Sequence, residues 1–241
     1  MTRWLRVRWR LDRPAALMLA LVASPLLAGL WVTVRLQDGR PSLVRLERVG
    51  RFGQSFAMAK FRSMKVAAAN GHSGGPALTS GADPRVTRLG QRLRHYRLDE
   101  LPQLTNVVRG EMSLIGPRPE APAYVDLEDR RWQTVLTALP GIAGPTQVLI
   151  QDFEAGMGFD DHHGYEAEIL PVKLAIDIWY LEHASPIVDL LVIWALFERF
   201  VLRRRVTFLH TTVAAEVPEV ADLFARHAGE DDPWPAAILG R

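Results

Sequence analysis

The stretch RHYRLDELPQLTNVVRGEMSLIGPRP, residues 94–119, decides how this chain is organised. Pro102 lacks an amide hydrogen and fits the first turn of a helix, while Gly110 is a natural helix end. The sequence therefore predicts a short amphipathic helix, with the adjacent carboxylates Asp99 and Glu100 at or just before its N-terminus. Apolar residues at helical spacing predict its buried face, namely Leu101, Leu104 and Val108.

The carboxylate pair allows two interpretations. Free amide groups and the helix dipole stabilise negative charge at a helix N-terminus and attract phosphate. An ionised Asp99 there could attack phosphorus, or hold a divalent cation. Alternatively, Asp99 is only a helix cap, because aspartate is common at that position.

Basic residues surround the pair. Arg94, Arg97 and Arg118 could converge on the same region, and the guanidinium group matches phosphate geometry. Pro117 and Pro119 stiffen the backbone around Arg118, which suits a preorganised phosphate clamp. The alternatives are a surface turn for Arg118 and a solvated basic face for the other two.

A second feature is an N-terminal segment without charge, from Pro14 to Val34, interrupted by Ser24-Pro25. Its length of about 31 Å as a helix is just enough to span a bilayer. Proline at the middle predicts a bend, and arginines on both sides favour the cytoplasm for both ends. The sequence therefore predicts a re-entrant membrane hairpin at the cytoplasmic face. A single spanning helix with a tolerated proline and a cleaved signal peptide are the alternatives.

Composition narrows the classes of protein. The chain has 241 residues, a net charge of +2 and no cysteine, which excludes disulfides and thiolate metal sites. Basic residues concentrate near the apolar segment and favour anionic lipid head groups of the inner leaflet, whereas no nucleic-acid motif is present. We predict an N-terminus and membrane helix over residues 1–36, a catalytic domain over 37–206 and a tail of unassigned role over 207–241.

The remaining chain predicts a hairpin of two strands and several helices. A helix over 187–200 is very apolar, and it is either a helix in the head-group plane or a buried core helix. Residues 70–82 and 139–148 are predicted loops, since both are rich in glycine and proline. The predicted strands are Ser42–Arg48 and Ser55–Phe61, and the other predicted helices are Pro84–Tyr96, Asp126–Ala138 and Glu166–Glu182.

The run DELPQLTNVVRGEMSLIGPRP closely resembles the signature of the bacterial sugar transferase family, the monotopic polyprenyl-phosphate phosphoglycosyl transferases. Further motifs of that family follow the expected order, over residues 38–64 (DGRPSLVRLERVGRFGQSFAMAKFRSM), 74–90 and 139–148. The resemblance covers roughly residues 3–199. It implies an α/β fold, with a membrane-embedded re-entrant helix-break-helix followed by a small sheet and several amphipathic interfacial helices.

The resemblance also implies a reaction. Asp99 would attack the β-phosphorus of a UDP-sugar and release UMP, and polyprenyl (undecaprenyl) phosphate would then take the phosphosugar from Asp99. Glu100 would be its partner carboxylate, and the pair would hold Mg²⁺. Such an enzyme starts glycoconjugate synthesis at the cytoplasmic face of the bacterial inner membrane, and a homodimer is compatible with it. The implied phosphate contacts are Arg94 and Arg118, the GPRP prolines Pro117 and Pro119, and Lys60 and Arg62 of the KFRSM segment.

Two positions depart from the family pattern. Leu46 stands where a glutamine is usual, and Arg97 stands where a small polar residue usually precedes LDE. Neither departure touches the carboxylates, but both bear on donor contacts. Two other functions remain open: a non-catalytic membrane adaptor on the same scaffold, and a membrane-bound phosphohydrolase using the same aspartate.

Overall fold

A computed structural model describes residues 2–65, 83–150, 153, 162–202, 204 and 207–226 of the chain. Within them the fold is mixed, with helix predominating over two small sheets. The helices are α1 (Arg3–Val22), α2 (Ser24–Gln37), α3 (Arg88–His95), α4 (Leu104–Arg109), α5 (Arg130–Val135), α6 (Pro145–Leu149), α7 (Leu170–His183), α8 (Pro186–Phe200), α9 (Phe208–Glu216) and α10 (Pro218–Arg226). The strands are β1 (Leu43–Val49), β2 (Ser55–Phe61), β3 (Ser113–Ile115) and β4 (Gly141–Ala143).

The first two helices form the predicted bent pair. Ser24 and Pro25 open α2 directly after Ala23, and the helix axes diverge by 63°. Ser24 Oγ donates to the Leu21 carbonyl over 2.7 Å, which satisfies an acceptor freed at the break. Among the described helices none is long and apolar enough to cross a membrane alone, whereas this bent pair together meets those requirements.

Strands β1 and β2 form the predicted antiparallel hairpin, within one residue of the expected bounds. Their register pairs Leu43 with Phe61 and Val49 with Ser55. A turn over Arg51–Gly53 joins them, and Gly53 there has a φ of +75°, which a side chain rarely tolerates. Strand β2 carries Lys60 toward the carboxylate pair.

The expectation of a loop over residues 139–148 is wrong. Strand β4 lies parallel to β3, and α6 follows it after Gly144. A Cβ on Gly141 would lie 2.1 Å from the Gly116 amide nitrogen, so only glycine allows this approach. The segment is therefore ordered structure packed against the GPRP elbow.

Two predicted helices are shorter than expected, because a capping residue lies inside each predicted range. Thr87 accepts a hydrogen bond from the Gly90 amide over 2.9 Å, so α3 begins at Arg88. Asp129 accepts from the Arg131 amide over 2.8 Å, so α5 begins at Arg130. The loop predicted over 70–82 lies outside the described residues.

The main core lies where α6, α7, α9 and α10 meet the buried face of α8. A π-helical turn over Tyr165–Ile169 leads into α7, close to the predicted start at residue 166. Helices α9 and α10 belong to the predicted tail, and Leu209, Val220 and Leu223 are fully or almost fully buried in this core. The rest of the tail, residues 227–241, lies outside the described residues.

Helix α8 is apolar on its outer side and charged on its inner side. Ile187, Leu190, Trp194 and Phe197 are 71%, 65%, 52% and 41% exposed. Val192 and Ala195 are buried, but the same inner face also buries the carboxylates Asp189 and Glu198. A core helix buries its apolar side chains, so the core interpretation is wrong for the outer face.

Candidate functional site

The carboxylate pair lies in a 3₁₀ turn over Leu98–Gln103 that runs directly into α4. Arg97, with a φ of +55°, redirects the chain into this turn, and Gly110 ends α4 with a φ of +81° as predicted. Asp99 and Glu100 are only 4% and 5% exposed. They occupy the first turn of the element, as the position of Pro102 predicts.

The predicted buried face of α4 is partly wrong. Leu104 is buried and Leu101 is half-buried, but Val108 is 36% exposed and Val107 takes its place in the core. The 3₁₀ turn has about three residues per turn, so the phase of the pattern shifts where the α-helix begins.

Three cations meet on one oxygen of Glu100. Oε1 accepts from Lys60 Nζ at 2.9 Å, from Arg97 at 3.1 Å and from Arg118 at 2.8 Å. Burial alone would raise the pKa of Glu100, but the charges of Arg118, Lys60 and Arg97 outweigh burial and hold it well below its usual range. Glu100 is therefore ionised, and it fixes three cationic groups in one place.

Asp99 has a different environment from its neighbour. Its Oδ1 is buried and has no hydrogen-bond partner among the described residues. Burial lowers the pKa of Lys60 and of Arg94, while the nearby Asp99 charge acts to raise both. The Asp99 carboxylate thus lies in a positive environment with an oxygen uncommitted to the described protein, which suits a nucleophile or metal ligand.

Asn106 on α4 holds the carboxylate segment against β2. Its Oδ1 accepts from the Ala59 amide over 3.0 Å, and its Nδ2 donates to the Ala57 carbonyl over 2.9 Å. Nδ2 also donates to Glu111 over 2.7 Å. Because Asn106 bridges helix and strand, Lys60 of β2 reaches Glu100; sequence reasoning missed this role.

Two other predicted phosphate contacts, Arg94 and Arg62, differ in their distance from the carboxylate pair. Arg94 Nε donates to Ser63 Oγ over 2.8 Å, close enough to Asp99 for the charges to interact. The side chain of Arg62 is engaged differently: it is buried and donates to the backbone carbonyls of Asp38 and Arg40. In the described structure its contacts tie β2 to the end of α2, and none is to the carboxylate pair.

The GPRP elbow is fixed from both sides. The Pro117 carbonyl accepts from the Gly141 amide over 2.8 Å, and both Pro117 and Pro119 are buried. Arg118 therefore lies on a fixed stretch of backbone shortly after β3, and its guanidinium donates to Glu100.

A second ionic cluster, missed by sequence reasoning, supports the elbow. Lys173 of α7 donates to Glu120 and, over 2.8 Å, to the Tyr165 hydroxyl, which itself donates to Glu120 over 3.0 Å. Burial would raise the pKa of Glu120, but the charge and hydrogen bond of Lys173, the charge of Arg48 and the hydrogen bond from Tyr165 together hold it below its usual range. Glu120 and Lys173 are 53 positions apart, so no local pattern connects them.

The residues fit Mg²⁺ as a site with two carboxylates. No group of three or more His, Cys, Asp or Glu side chains suited to a metal occurs in the part of the chain that the structure describes. Mg²⁺ is commonly bound by one or two carboxylates together with substrate phosphates. Asp99 Oδ1, which has no partner in the described ranges, lies beside Glu100 and is consistent with that mode, with the donor phosphates completing the set.

Comparison with known proteins gives the family. The model of the bacterial sugar transferase family matches residues 4–203. This chain is 34% identical over 189 residues (76% of its length) to "UDP-N-acetylgalactosamine-undecaprenyl-phosphate N-acetylgalactosaminephosphotransferase" of Aeromonas hydrophila. It is 36% identical over 177 residues (71% of the chain) to "UDP-glucose:undecaprenyl-phosphate glucose-1-phosphate transferase" of Caulobacter vibrioides. Over 168 residues (62%) it is 38% identical to "Undecaprenyl-phosphate galactose phosphotransferase" of Salmonella typhimurium.

These matches span 41%, 61% and 34% of the three relatives, so the chain covers less than two thirds of each. The family model, by contrast, matches well over half of this chain. The motifs at residues 94–119, which carry the buried carboxylate pair, lie within the matched range. This chain belongs to the bacterial sugar transferase family.

Proposed function

We propose that this chain transfers a phosphosugar from a UDP-sugar to undecaprenyl phosphate and so initiates polysaccharide synthesis. The observation that carries the proposal is the buried Asp99, whose Oδ1 has no hydrogen-bond partner among the described residues and lies beside three cations gathered on Glu100. The three relatives are named as undecaprenyl-phosphate transferases of a sugar phosphate, which supports this substrate class. Because their sugars differ, the sugar is left to experiment.

The first step is attack on phosphorus. A carboxylate oxygen of Asp99 forms a bond to the β-phosphorus of the donor, and the bond from that phosphorus to the bridging oxygen breaks. UMP leaves with that oxygen, and the phosphosugar stays on Asp99 as an acyl phosphate. Lys60, Arg97 and Arg118 neutralise charge that develops on the phosphate oxygens, which is the main requirement of phosphoryl transfer. Mg²⁺, when bound by the two carboxylates, would supply further positive charge.

The second step regenerates the enzyme. A phosphate oxygen of undecaprenyl phosphate attacks the phosphorus, the bond to Asp99 breaks, and the lipid diphosphosugar leaves. Neither step requires a protein base, because both nucleophiles are already anions. A covalent intermediate lets a water-soluble donor and a lipid acceptor use one site in turn.

The acceptor places the site beside a membrane. We infer that the bent α1–α2 pair enters the cytoplasmic leaflet of the bacterial inner membrane without crossing it. Its exposed apolar side chains, together with those on the outer face of α8, support this arrangement. The homodimer remains a prediction without support from these observations.

The test is UMP release from a panel of UDP-sugars with Mg²⁺ and undecaprenyl phosphate. We expect wild type to release UMP repeatedly only when the lipid is present, and Asp99→Asn to release none. Asp222→Asn, which changes an exposed carboxylate on α10, is the matched control and should behave as wild type. Unchanged turnover in Asp99→Asn would refute the assignment of the nucleophile.

The mass of the protein separates the remaining alternatives. Incubation with donor alone should add one phosphosugar to wild type and nothing to Asp99→Asn. Release of sugar phosphate without any lipid acceptor would indicate a phosphohydrolase. Absence of both adduct and UMP with every donor would favour the adaptor function.

A further inference from the structure

A cavity of about 620 Å³ opens between α1 and the turn that follows β1. Four arginines line it: Arg6, Arg10 and Arg13 from α1, and Arg51 from the turn. No acidic side chain is among its lining residues. The volume is in the range typical of small-molecule sites, and the charge calls for an anion.

The three arginines of α1 share one helix face, since they follow at intervals of four and three residues. Like charges at this spacing destabilise a helix. In the described residues no ion pair is recorded for any of these three or for Arg51. Within the described part of the chain, four positive charges therefore lie together without a paired carboxylate.

Specific contacts hold two of these groups in place. Arg51 Nε donates to the Thr137 carbonyl over 2.9 Å, and its guanidinium lies 4.5 Å from the centroid of the Trp9 ring. Arg13 donates to the Arg109 carbonyl over 3.1 Å at the end of α4. Two of the four cationic groups are thus held in place by contacts with the protein.

Gly110 provides the room that Arg13 occupies. A Cβ on Gly110 would lie 1.8 Å from the Arg13 guanidinium, and the φ of +81° already favours glycine there. Gly110 follows the C-terminus of α4, whereas Asp99 and Glu100 precede its N-terminus. None of the three cations on Glu100 lines this cavity, so it is distinct from the proposed catalytic site.

Apolar surface on the neighbouring face of α1 points to the kind of anion. Val7 and Leu11, which do not line the cavity, are 52% and 55% exposed, and they lie about 60–100° around the helix from Arg10. A free inorganic anion would leave these side chains in water, whereas a lipid would cover them with its acyl chains. We propose that the cavity binds the phosphate-bearing head group of an anionic phospholipid, a site additional to those for donor and acceptor.

The test uses the full chain in a neutral detergent, titrated calorimetrically with short-chain phosphatidylglycerol and without any donor sugar. We expect saturable binding at one site, weakened about 30-fold in Arg6→Gln/Arg10→Gln by the loss of two positive charges. The matched control is Arg3→Gln/Arg45→Gln, which removes two exposed arginines that do not line the cavity. Its affinity should equal that of wild type.

Further arms identify the source of the phosphate. Short-chain phosphatidylcholine and inorganic phosphate should each bind at least tenfold more weakly than phosphatidylglycerol. Equal binding of inorganic phosphate, equal binding of phosphatidylcholine, or an equal loss in the control pair would overturn the proposal. Arg13→Gln provides a second variant: it should also weaken binding, and if both cavity variants bind as wild type does, the proposal fails.

Discussion

Replacement of Arg8 by methionine should destabilise the protein severely, although sequence reasoning placed this residue among the basic flanks of a membrane segment. Arg8 is 6% exposed. Its guanidinium donates to Tyr180 at 2.5 Å, to Asp189 at 2.7 Å, to Ser113 at 3.0 Å and to the Ile115 carbonyl at 2.5 Å. One side chain of α1 thus joins β3, α7 and α8.

The magnitude follows from what the substitution leaves behind. Asp189 is 5% exposed and Asp12 is 4% exposed, and among the residues that the structure describes Arg8 is the cation within ion-pair distance of both. Removing one partner of a buried ion pair costs about 3–5 kcal/mol, because the remaining charge stays buried without compensation. For a chain of this size that corresponds to a fall in Tm of about 6–20 °C.

Thermal unfolding in detergent, followed by tryptophan fluorescence, measures the effect. Arg131→Met is the matched control, since Arg131 pairs with Asp129 but its side chain is 52% exposed. An exposed pair contributes at most about 1 kcal/mol, so the control should lose no more than ~4 °C. Adding Asp189→Asn to Arg8→Met should restore part of the loss. A single Arg8→Met variant as stable as the control would refute the reasoning, and so would a double variant that recovers nothing.

Three further outcomes are expected. Glu100→Gln should lower Tm at pH 7. The depressed pKa of Glu100 stabilises the fold at pH values above the usual glutamate range, and this stabilisation is lost as pH falls through the folded-state pKa. The Tm difference between wild type and Glu100→Gln should therefore shrink on acidification. A constant Tm difference between pH 7 and 3 would contradict this reasoning. Gly110→Ala should cost about 1–2 kcal/mol in chemical denaturation because of its positive φ, whereas Gly29→Ala, inside α2 with open space around its Cβ, should be neutral or stabilising. In this cysteine-free chain, Arg3→Cys and Gln37→Cys should both react with an impermeant maleimide in inverted vesicles, and neither should react in right-side-out vesicles. A segment that spans the membrane would instead expose only one of the two cysteines in each kind of vesicle.

Local patterns were sufficient for the hairpin and for the carboxylate turn. Side-chain alternation and the glycines of the connecting turn predict β1 and β2, because both signals lie within a few neighbouring residues. Pro102 and Gly110 delimit the turn and α4 by their own backbone preferences. By contrast, β3 and β4 have three residues each, too short to show a period, and they form because Gly116 and Gly141 let two backbones approach.

The site was predictable in its parts and not in its assembly. The sequence identifies Asp99 and Glu100 as neighbours, and it identifies Lys60 and Arg118 as basic residues of nearby motifs. It does not reveal that both cations share one oxygen with Arg97, because 40 and 18 positions separate them from Glu100. The role of Arg97 had a local signal in its spacing of three residues from Glu100.

Arg8 and Arg62 have contacts that local motifs do not reveal. Both are basic residues in motifs that suggest a lipid or phosphate contact, yet the side chains of both are buried against protein acceptors. The acceptors of Arg62 are backbone carbonyls, which carry no residue-specific signal. Those of Arg8 lie more than 100 positions away, so only the folded chain reveals them.

The span of the Arg8 contacts has a consequence for synthesis on the ribosome. Asp189 is 181 positions and Tyr180 is 172 positions after Arg8. At a translation rate of about 5–20 residues per second, Arg8 therefore waits roughly 10–40 s for the partners that bury it. During that interval the first helix cannot complete its packing, and its arginine must stay hydrated. Docking of α1 onto α7 and α8 is accordingly a late event of biogenesis, and truncation anywhere before Tyr180 should leave Arg8 without its partners on those two helices.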